Sequence, residues 1–428
     1  MMLTLQVSEN KRYLTTADGQ PYFLIGDTAW ELFHRLTRSE AEQYLSTRAA
    51  QGYNMIQAVI LAEFDGLCTP NANGDCPLFP DADGNYDVSR INEAYFAHVD
   101  AVIAMAEQHG LYVGLLPTWG DKWNRMWGIG PEIFDPDHAY KYGLWLGQRY
   151  ASCSNILWVL GGDRPLTEEH HFAVIDAMAR GLSDGDGGKF LKTLHPSGAS
   201  SSSAYVHERP WLDFNMMQSG HGKPSPNCFD MQLSDYGRMP TKPVMDGEPC
   251  YEDHPINFDA ANGYYDDCDV RLAAYRNLLC GACGNTYGHH SIWSFKREDE
   301  RCAYFPNAWQ TALHRPGAEQ IRILSAFLSD HPWYEWKPMP DLVIDNPHNA
   351  SFTAAAVTEN AAYLYLPAGV GVRLDLSRLP FVPVHAELFS PADGSYAHDA
   401  VHLSSDGFLS LPGRAAGRGM DAVVILRP

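Results

Sequence analysis

The 428-residue sequence has no apolar run near the roughly 20 residues that a membrane-spanning helix needs. Its longest apolar stretches, such as Ile56–Ala62 with a single Gln, are of strand length. It also has little positive charge: 31 Lys and Arg stand against 52 Asp and Glu, a formal net charge of −21. That sign is wrong for neutralising phosphates and argues against nucleic-acid binding. No long segment is compositionally biased, and with 45% hydrophobic and 19% charged residues the chain reads as folded rather than disordered. No G-x-G-x-x-G or P-loop follows an apolar strand, which weakens the case for a nucleotide-binding open sheet. There is no H-E-x-x-H, and no H-x-H where a first strand would end, so neither a metal nor another cofactor is expected. The opening MMLTLQVSENKRYL lacks a basic stretch followed by an apolar one. On that ground the chain reads as cytoplasmic, with a secreted protein trimmed of its leader as the competing explanation. The nine cysteines are irregularly spaced. Cys280 and Cys283 form a C-x-x-C with no second pair and read as buried thiols. Cys68 and Cys76 flank the loop Thr69–Asp75 and could pair in an oxidising compartment.

What the sequence does have is alternation. Short apolar segments follow one another at Pro21–Asp27, Asn54–Ala62, Leu111–Trp119, Asn155–Asp163, Phe190–Pro196, Asp213–Gly220, Lys242–Glu248 and Asn285–Trp293. Between them lie helical stretches. One starts at Ser39, placed as N-cap, and runs to about Gln51. Others cover about Asn92–His109, Pro136–Tyr150, Glu168–Leu182 (ending in a flexible SDGDGG), Phe229–Tyr236, Asp269–Cys280 and Ala318–Ser329. Near-continuous apolar strands imply a sheet buried on both faces, and eight βα units predict a closed (β/α)8 barrel over residues 1–336. After the proline-rich WKPMPDL the texture changes to short alternating strands, with turns such as Pro391–Tyr396 and Ser404–Phe408. Residues 337–428 are expected to form a small all-β sandwich docked on the barrel.

A (β/α)8 barrel builds its site at the C-terminal ends of its strands. Those ends carry Asp27, Glu63, Trp119 with Asp121, Asp163, His195, Gln218 with His221, Asp246 with Glu248, and His289, His290 and Trp293. The set is acidic, aromatic and histidine-rich, with Arg164 almost alone as a base, which suits an uncharged polyhydroxylated ligand rather than a phosphorylated one. Gly-Gly-Asp ends the fourth strand and Asp-Gly-Glu the seventh, roughly across the mouth from each other. Glycosidic cleavage needs two carboxyl groups flanking the anomeric carbon. Asp163 is the candidate acid/base and Glu248 the candidate nucleophile, with Gly161 and Gly162 letting backbone pass close to a ligand. Asp246, two residues before Glu248, is placed on the same side of the strand, either as buried support or with a direct role. Glu63 is a rival acid or a lining residue. Asp27, Trp30, Glu63, Trp119, His195, Gln218, His289 and Trp293 are the candidate substrate-binding residues. Of His289 and His290, at most one points inward. Trp119, Asp121 and Trp123 lie in a loop whose aromatic density suits a sugar platform.

Three stretches resemble one family. Arg12–Gln57, with its G-D-T-A-W strand end and the following G-Y-N, is similar to the opening of the apiosidase-like glycoside hydrolases. Asn155–Pro165 resembles their acid/base segment and Lys242–Glu252 their nucleophile segment. The resemblance spans nearly the whole chain. It implies a (β/α)8 catalytic domain, a C-terminal β-domain often described as collagen-binding, a strand-four Asp acid/base mapping onto Asp163, and a strand-seven Glu nucleophile mapping onto Glu248. The function expected is a retaining glycoside hydrolase acting on a plant-derived oligosaccharide, with the carbohydrate as its partner. The alternatives are a non-catalytic carbohydrate-binding barrel and a metal-dependent barrel hydrolase.

Overall fold

The computed structural model describes residues 2–222, 228–300, 307–398 and 400–428. Eight parallel strands form the barrel wall: β1 Leu24–Thr28, β2 Met55–Leu61, β3 Tyr112–Thr118, β4 Ile156–Gly161, β5 Lys192–His195, β6 Asn215–Gln218, β7 Val244–Asp246 and β8 Gly284–Tyr287. The ladder runs β5-β4-β3-β2-β1-β8-β7-β6, and Ser200–Ser201 adds an antiparallel edge outside β6. The barrel is therefore nearly closed, with an open seam between β5 and β6. Side chains bridge that seam. The Thr193 hydroxyl donates to the Phe214 carbonyl at 2.7 Å, and the Asp213 carboxylate accepts the Lys192 N–H at 2.7 Å. The N-terminal strands Leu5–Val7, Leu14–Thr16 and Pro21–Tyr22 form a small antiparallel sheet whose Leu5 and Leu14 join the core inside the barrel.

Besides two single-turn α-helices at Leu32–Arg35 and Trp309–Ala312, the described α-helices are α1 Arg38–Ala50, α2 Glu93–Gln108, α3 Pro136–Tyr150, α4 Glu169–Asp186, α5 Ser203–Val206, α6 Cys228–Tyr236, α7 Asp267–Leu279 and α8 Pro316–Asp330. Two differ instructively from the sequence expectation. The N-cap of α1 is Thr37, not Ser39. The Thr37 hydroxyl accepts the Glu40 N–H, and the Glu40 carboxylate accepts the Thr37 N–H at 2.8 Å, closing a capping box. Helix α4 does not end at Leu182 but continues through Ser183-Asp184-Gly185-Asp186. The cause is tertiary: Gly143 and Gly147 of α3 face Gly181 and Gly185 of α4. A Cβ at Gly181 would meet the Tyr140 carbonyl at 2.2 Å, and one at Gly185 the Leu144 carbonyl at 2.5 Å. Gly187, at φ +70°, ends the helix, and the Trp158 indole pins Asp186 at 2.8 Å. Gly181→Ala should therefore lower unfolding free energy by about 1–3 kcal/mol through overpacking, despite alanine's higher helix propensity, read as a fall in Tm.

The C-terminal region holds a six-stranded sheet of Lys337–Pro338, Ala354–Val357, Ala362–Leu366, Ala422–Arg427, His385–Phe389 and Tyr396–Ala397, in that order, and a three-stranded sheet of Val372–Arg373, Phe408–Ser410 and His402–Leu403. Strand alternation divides its side chains. Ala354, Ala356, Tyr363, Tyr365, Val423 and Ile425 join the barrel's outer core. Ala355, Val357, Leu364, Leu366, Val424 and Leu426 pack with Leu409 of the smaller sheet. Because both faces are covered, these strands read as apolar throughout. Buried Arg271 of α7 makes a two-pronged ion pair to Asp421 at 2.8 and 2.7 Å, locking the sandwich to the barrel. Cys68, Cys76, Cys280 and Cys283 are free thiols, the last two buried. Among the described residues, no helix is long and apolar enough to cross a membrane.

Candidate active site

The strand ends converge on a cavity of about 930 Å³. Asp163 reaches it from an unusual turn. Gly161 (φ +93°), Gly162 (φ +99°) and Asp163 (φ +56°) all lie on the left-handed side of backbone space. The two glycines are required by neighbouring backbone rather than by ligand approach: a Cβ at Gly161 would meet the His195 carbonyl of β5 at 2.3 Å, and one at Gly162 the Gly120 nitrogen in the turn after β3 at 2.6 Å. Asp tolerates positive φ better than most residues. Arg164, fully buried, donates from Nη1 to the Asp163 carbonyl at 2.8 Å and lies 3.4 Å from the Asp163 carboxylate.

Glu248 follows β7 and is held between two imidazoles. His221 Nε2 is 3.0 Å from its Oε1, and His195 Nε2 is 2.9 Å from its Oε2. His195 Nδ1 accepts the Asp163 backbone N–H at 3.2 Å, so in the neutral ring the proton sits on Nε2, facing Glu248. The N–H is not well aligned on the carboxylate in this conformation, but the contact is close. One buried ring thus touches the backbone of one candidate carboxylate and the side chain of the other.

These surroundings push the two carboxyls apart. Burial raises Asp163, and the charge of Glu248 raises it further, to about 6. Burial also opposes ionisation of Glu248, but the hydrogen bonds and charge of His195 and His221 win and hold its carboxyl well below the ordinary range. Glu63 lines the same cavity and is pushed to about 8, first by burial and then by Asp163. It is a neutral carboxylic acid at pH 7, able to donate a hydrogen bond.

Of the other candidates, Trp30, Trp119, Gln218 and Trp293 line the cavity, and Gln218 hydrogen-bonds to Asp163. Trp30 packs against both Trp119 and His195, with ring centroids 5.1 Å apart in each case. His195 does not line the cavity but positions both carboxylates. Three expectations need correction. Asp27 does not face a ligand: it is fully buried under α1, where Tyr44 and Arg48 donate to it at 2.6 Å each. Asp121 and Trp123 are not part of a sugar platform. Asp121 is consumed by Lys122 at 2.7 Å and the Gly130 N–H at 2.9 Å, and the Trp123 indole donates to the Gly161 carbonyl. His289 points away, its Nε2 3.1 Å from Asp253, and His290 lines the cavity instead. Asp246 is buried support: it accepts from Ser219 at 2.6 Å and Asn277 at 3.1 Å.

Sequence reasoning passed over Phe64, Trp127, Tyr251, His254 and Phe258, all of which line the cavity. The Tyr251 hydroxyl accepts the Trp30 indole N–H at 3.2 Å and also contacts Glu248. His254 stacks on His221 at 4.3 Å, and burial, then the charge of His221, lowers its pKa to about 3, so it is neutral. The signal was the aromatic and histidine density of Tyr251–Phe258, a loop rather than a strand end. Among the described residues, the one group of three His, Cys, Asp or Glu side chains close enough to share a cation is Asp266, Asp267 and Cys268, outside this cavity.

Two carboxyls around a shared cavity, one with its pKa raised and the other with its pKa lowered, are the equipment of glycoside hydrolysis. The family model of the apiosidase-like catalytic domain matches residues 8–335. The chain belongs to the apiosidase-like family. Two solved structures match this apiosidase-like chain over 99% of its length. One is a glycoside hydrolase family 5 protein from Bacteroides vulgatus, at 28% identity, TM-score 0.87 and 93% of that chain. The other is described as a glycoside hydrolase, at 29% identity, TM-score 0.85 and 96% of that chain. A family 5 enzyme from Streptomyces cattleya, solved with Manβ1-4GlcNAc, shares the fold at 13% identity and TM-score 0.51, over 74% of this chain and 83% of its own. No protein of curated function matches. The apiosidase-like barrel is thus a glycoside hydrolase barrel.

Proposed function

We propose that the protein is a retaining glycoside hydrolase that cleaves an O-glycosidic bond in a plant-derived oligosaccharide. The observation that carries this reading is that Asp163 and Glu248 line one cavity in unlike surroundings: burial and the charge of Glu248 raise Asp163 to about 6, while His195 and His221 hold Glu248 well below the ordinary range. In the first step a Glu248 oxygen attacks the anomeric carbon. The bond to the leaving oxygen breaks, and Asp163 gives that oxygen its proton. The sugar is left as an ester on Glu248. That ester removes the negative charge that raised Asp163, so Asp163 is now a better carboxylate. In the second step it takes a proton from water as the water attacks the anomeric carbon and frees Glu248. Glu63, neutral, donates to a sugar hydroxyl. Proton NMR of the first-formed product tests the stereochemistry: the anomer of the substrate must appear first, before mutarotation.

The pH profile follows from the same assignment. Asp163 must be protonated, so kcat/KM should fall as pH rises through about 6, tenfold per unit in the simple one-group limit. Glu248 must be ionised, so the acid limb lies below the ordinary Glu range. A profile rising from pH 6 to 8 on unactivated substrates contradicts the assignment of Asp163.

A further inference from the structure

The C-terminal sandwich reaches the cavity through α6. The first turn of this nine-residue helix carries Asp230 and Met231, which line the cavity wall. Its last turn is tied to the barrel, where Ser201 and Ser203 donate to Asp235. Its first turn is held largely from the other side. The Phe229 ring lies flat on Phe352, centroids 3.8 Å apart and planes 5° from parallel. Arg276 of α7, fully buried, donates to the Ala350 and Phe352 carbonyls at 2.7 and 3.0 Å, with its guanidinium 5.3 Å over the Phe229 ring. His348 Nδ1 is 3.0 Å from Asp230 itself. The segment that supplies these groups is closed on itself: the Asn346 amide accepts the Thr353 N–H and donates to the Thr353 carbonyl, at 3.0 and 2.9 Å. On the barrel side, Cys228 packs on Met217 and Ala273.

We propose that residues 346–352 of the C-terminal sandwich are positioning residues for the substrate site. Through the Phe352–Phe229 stack and the His348–Asp230 contact, they fix the cavity wall formed by Asp230 and Met231. This rests on the reading of the cavity as the substrate site. A helix this short is marginal without tertiary support, so the stack decides whether its first turn keeps one orientation. The wall does not touch the paired carboxylates' hydrogen bonds, so loosening it weakens substrate binding more than bond cleavage.

The test uses the full chain with Phe352→Ala, Phe352→Tyr and Arg418→Ala. Arg418 pairs with Asp266 and Asp269 elsewhere in the same junction and serves as the control. Hydrogen–deuterium exchange over residues 228–236 reads the wall without any substrate. Phe352→Ala should speed exchange there by about tenfold or more. On an aryl glycoside it should raise KM by about 5- to 20-fold while leaving kcat within about twofold. Phe352→Tyr should restore both, and Arg418→Ala should move neither. Where Phe352→Ala does not fold, His348→Ala on the surface replaces it, with about a two- to threefold rise in KM expected. Unchanged exchange in α6, or an equal response to Arg418→Ala, overturns the proposal. So does faster exchange with an unchanged KM. Failure of the wild-type chain to cleave any glycoside would count against the proposed activity, and exchange would still report on the wall.

Discussion

Glu248→Gln should abolish turnover, by on the order of 10⁴-fold or more, for every substrate whatever its leaving group. The replacement keeps shape and polarity but cannot form the ester. The amide also presents an NH₂ to one of the two imidazoles, His195 and His221, whose Nε2 atoms now lie 2.9 and 3.0 Å from the carboxylate oxygens. One ring must reorient or lose its partner, so some loss of stability should accompany the loss of activity. Steady-state rates on natural and activated glycosides, with Tm measured alongside, separate the two effects. Activity within about 100-fold of wild type on either substrate class removes Glu248 as nucleophile.

Asp163→Asn should behave differently. Without a proton donor, cleavage of unactivated glycosides should fall by about 10²–10⁴-fold, because an alkoxide is a poor leaving group. Aryl glycosides with acidic phenols need little protonation, so their first step should be largely spared. Their second step lacks a general base and should accumulate the glycosyl-enzyme. Azide needs no deprotonation and should restore turnover, giving a glycosyl azide of retained configuration. The alkaline limb near pH 6 should vanish in this variant. If azide rescues nothing and all substrates suffer equally, Glu63 is the next acid to examine, since it lines the same cavity and its carboxyl is raised further still, to about 8.

Much of the fold was legible because the barrel strands are buried on both faces and the helices between them are long enough to show their caps. The end of α4 was not legible. SDGDGG reads as a flexible break until Gly181 and Gly185 are seen against α3, a contact that local propensity does not register. At the site, the carboxylates following β4 and β7 stand out in the sequence because carboxylates at opposite strand ends have an obvious chemical use, and the structure places both on one cavity. Asp27 was misread for the same reason. Its position at a strand end suggested the mouth, whereas Tyr44 and Arg48, four apart on one face of α1, were waiting for a buried anion. His289 and His290 could not be separated by strand alternation, because β8 ends at Tyr287 and the chain turns beyond it. Tyr251, His254 and Phe258 come from the loop after β7, where no periodicity says which way a side chain points. The support of α6 by Phe352 joins residues more than a hundred positions apart and has no local signal at all.

The central claim, that Glu248 becomes the glycosyl ester, is tested most directly by trapping. A panel of 2-deoxy-2-fluoro glycosides with good leaving groups slows both steps, the second more visibly. The intact protein should gain the mass of one fluorosugar, and peptide mapping should place it on Glu248. Asp163→Asn should still become labelled, and Glu248→Gln should not. A label on any other residue, or turnover with inversion and no label, would contradict the account.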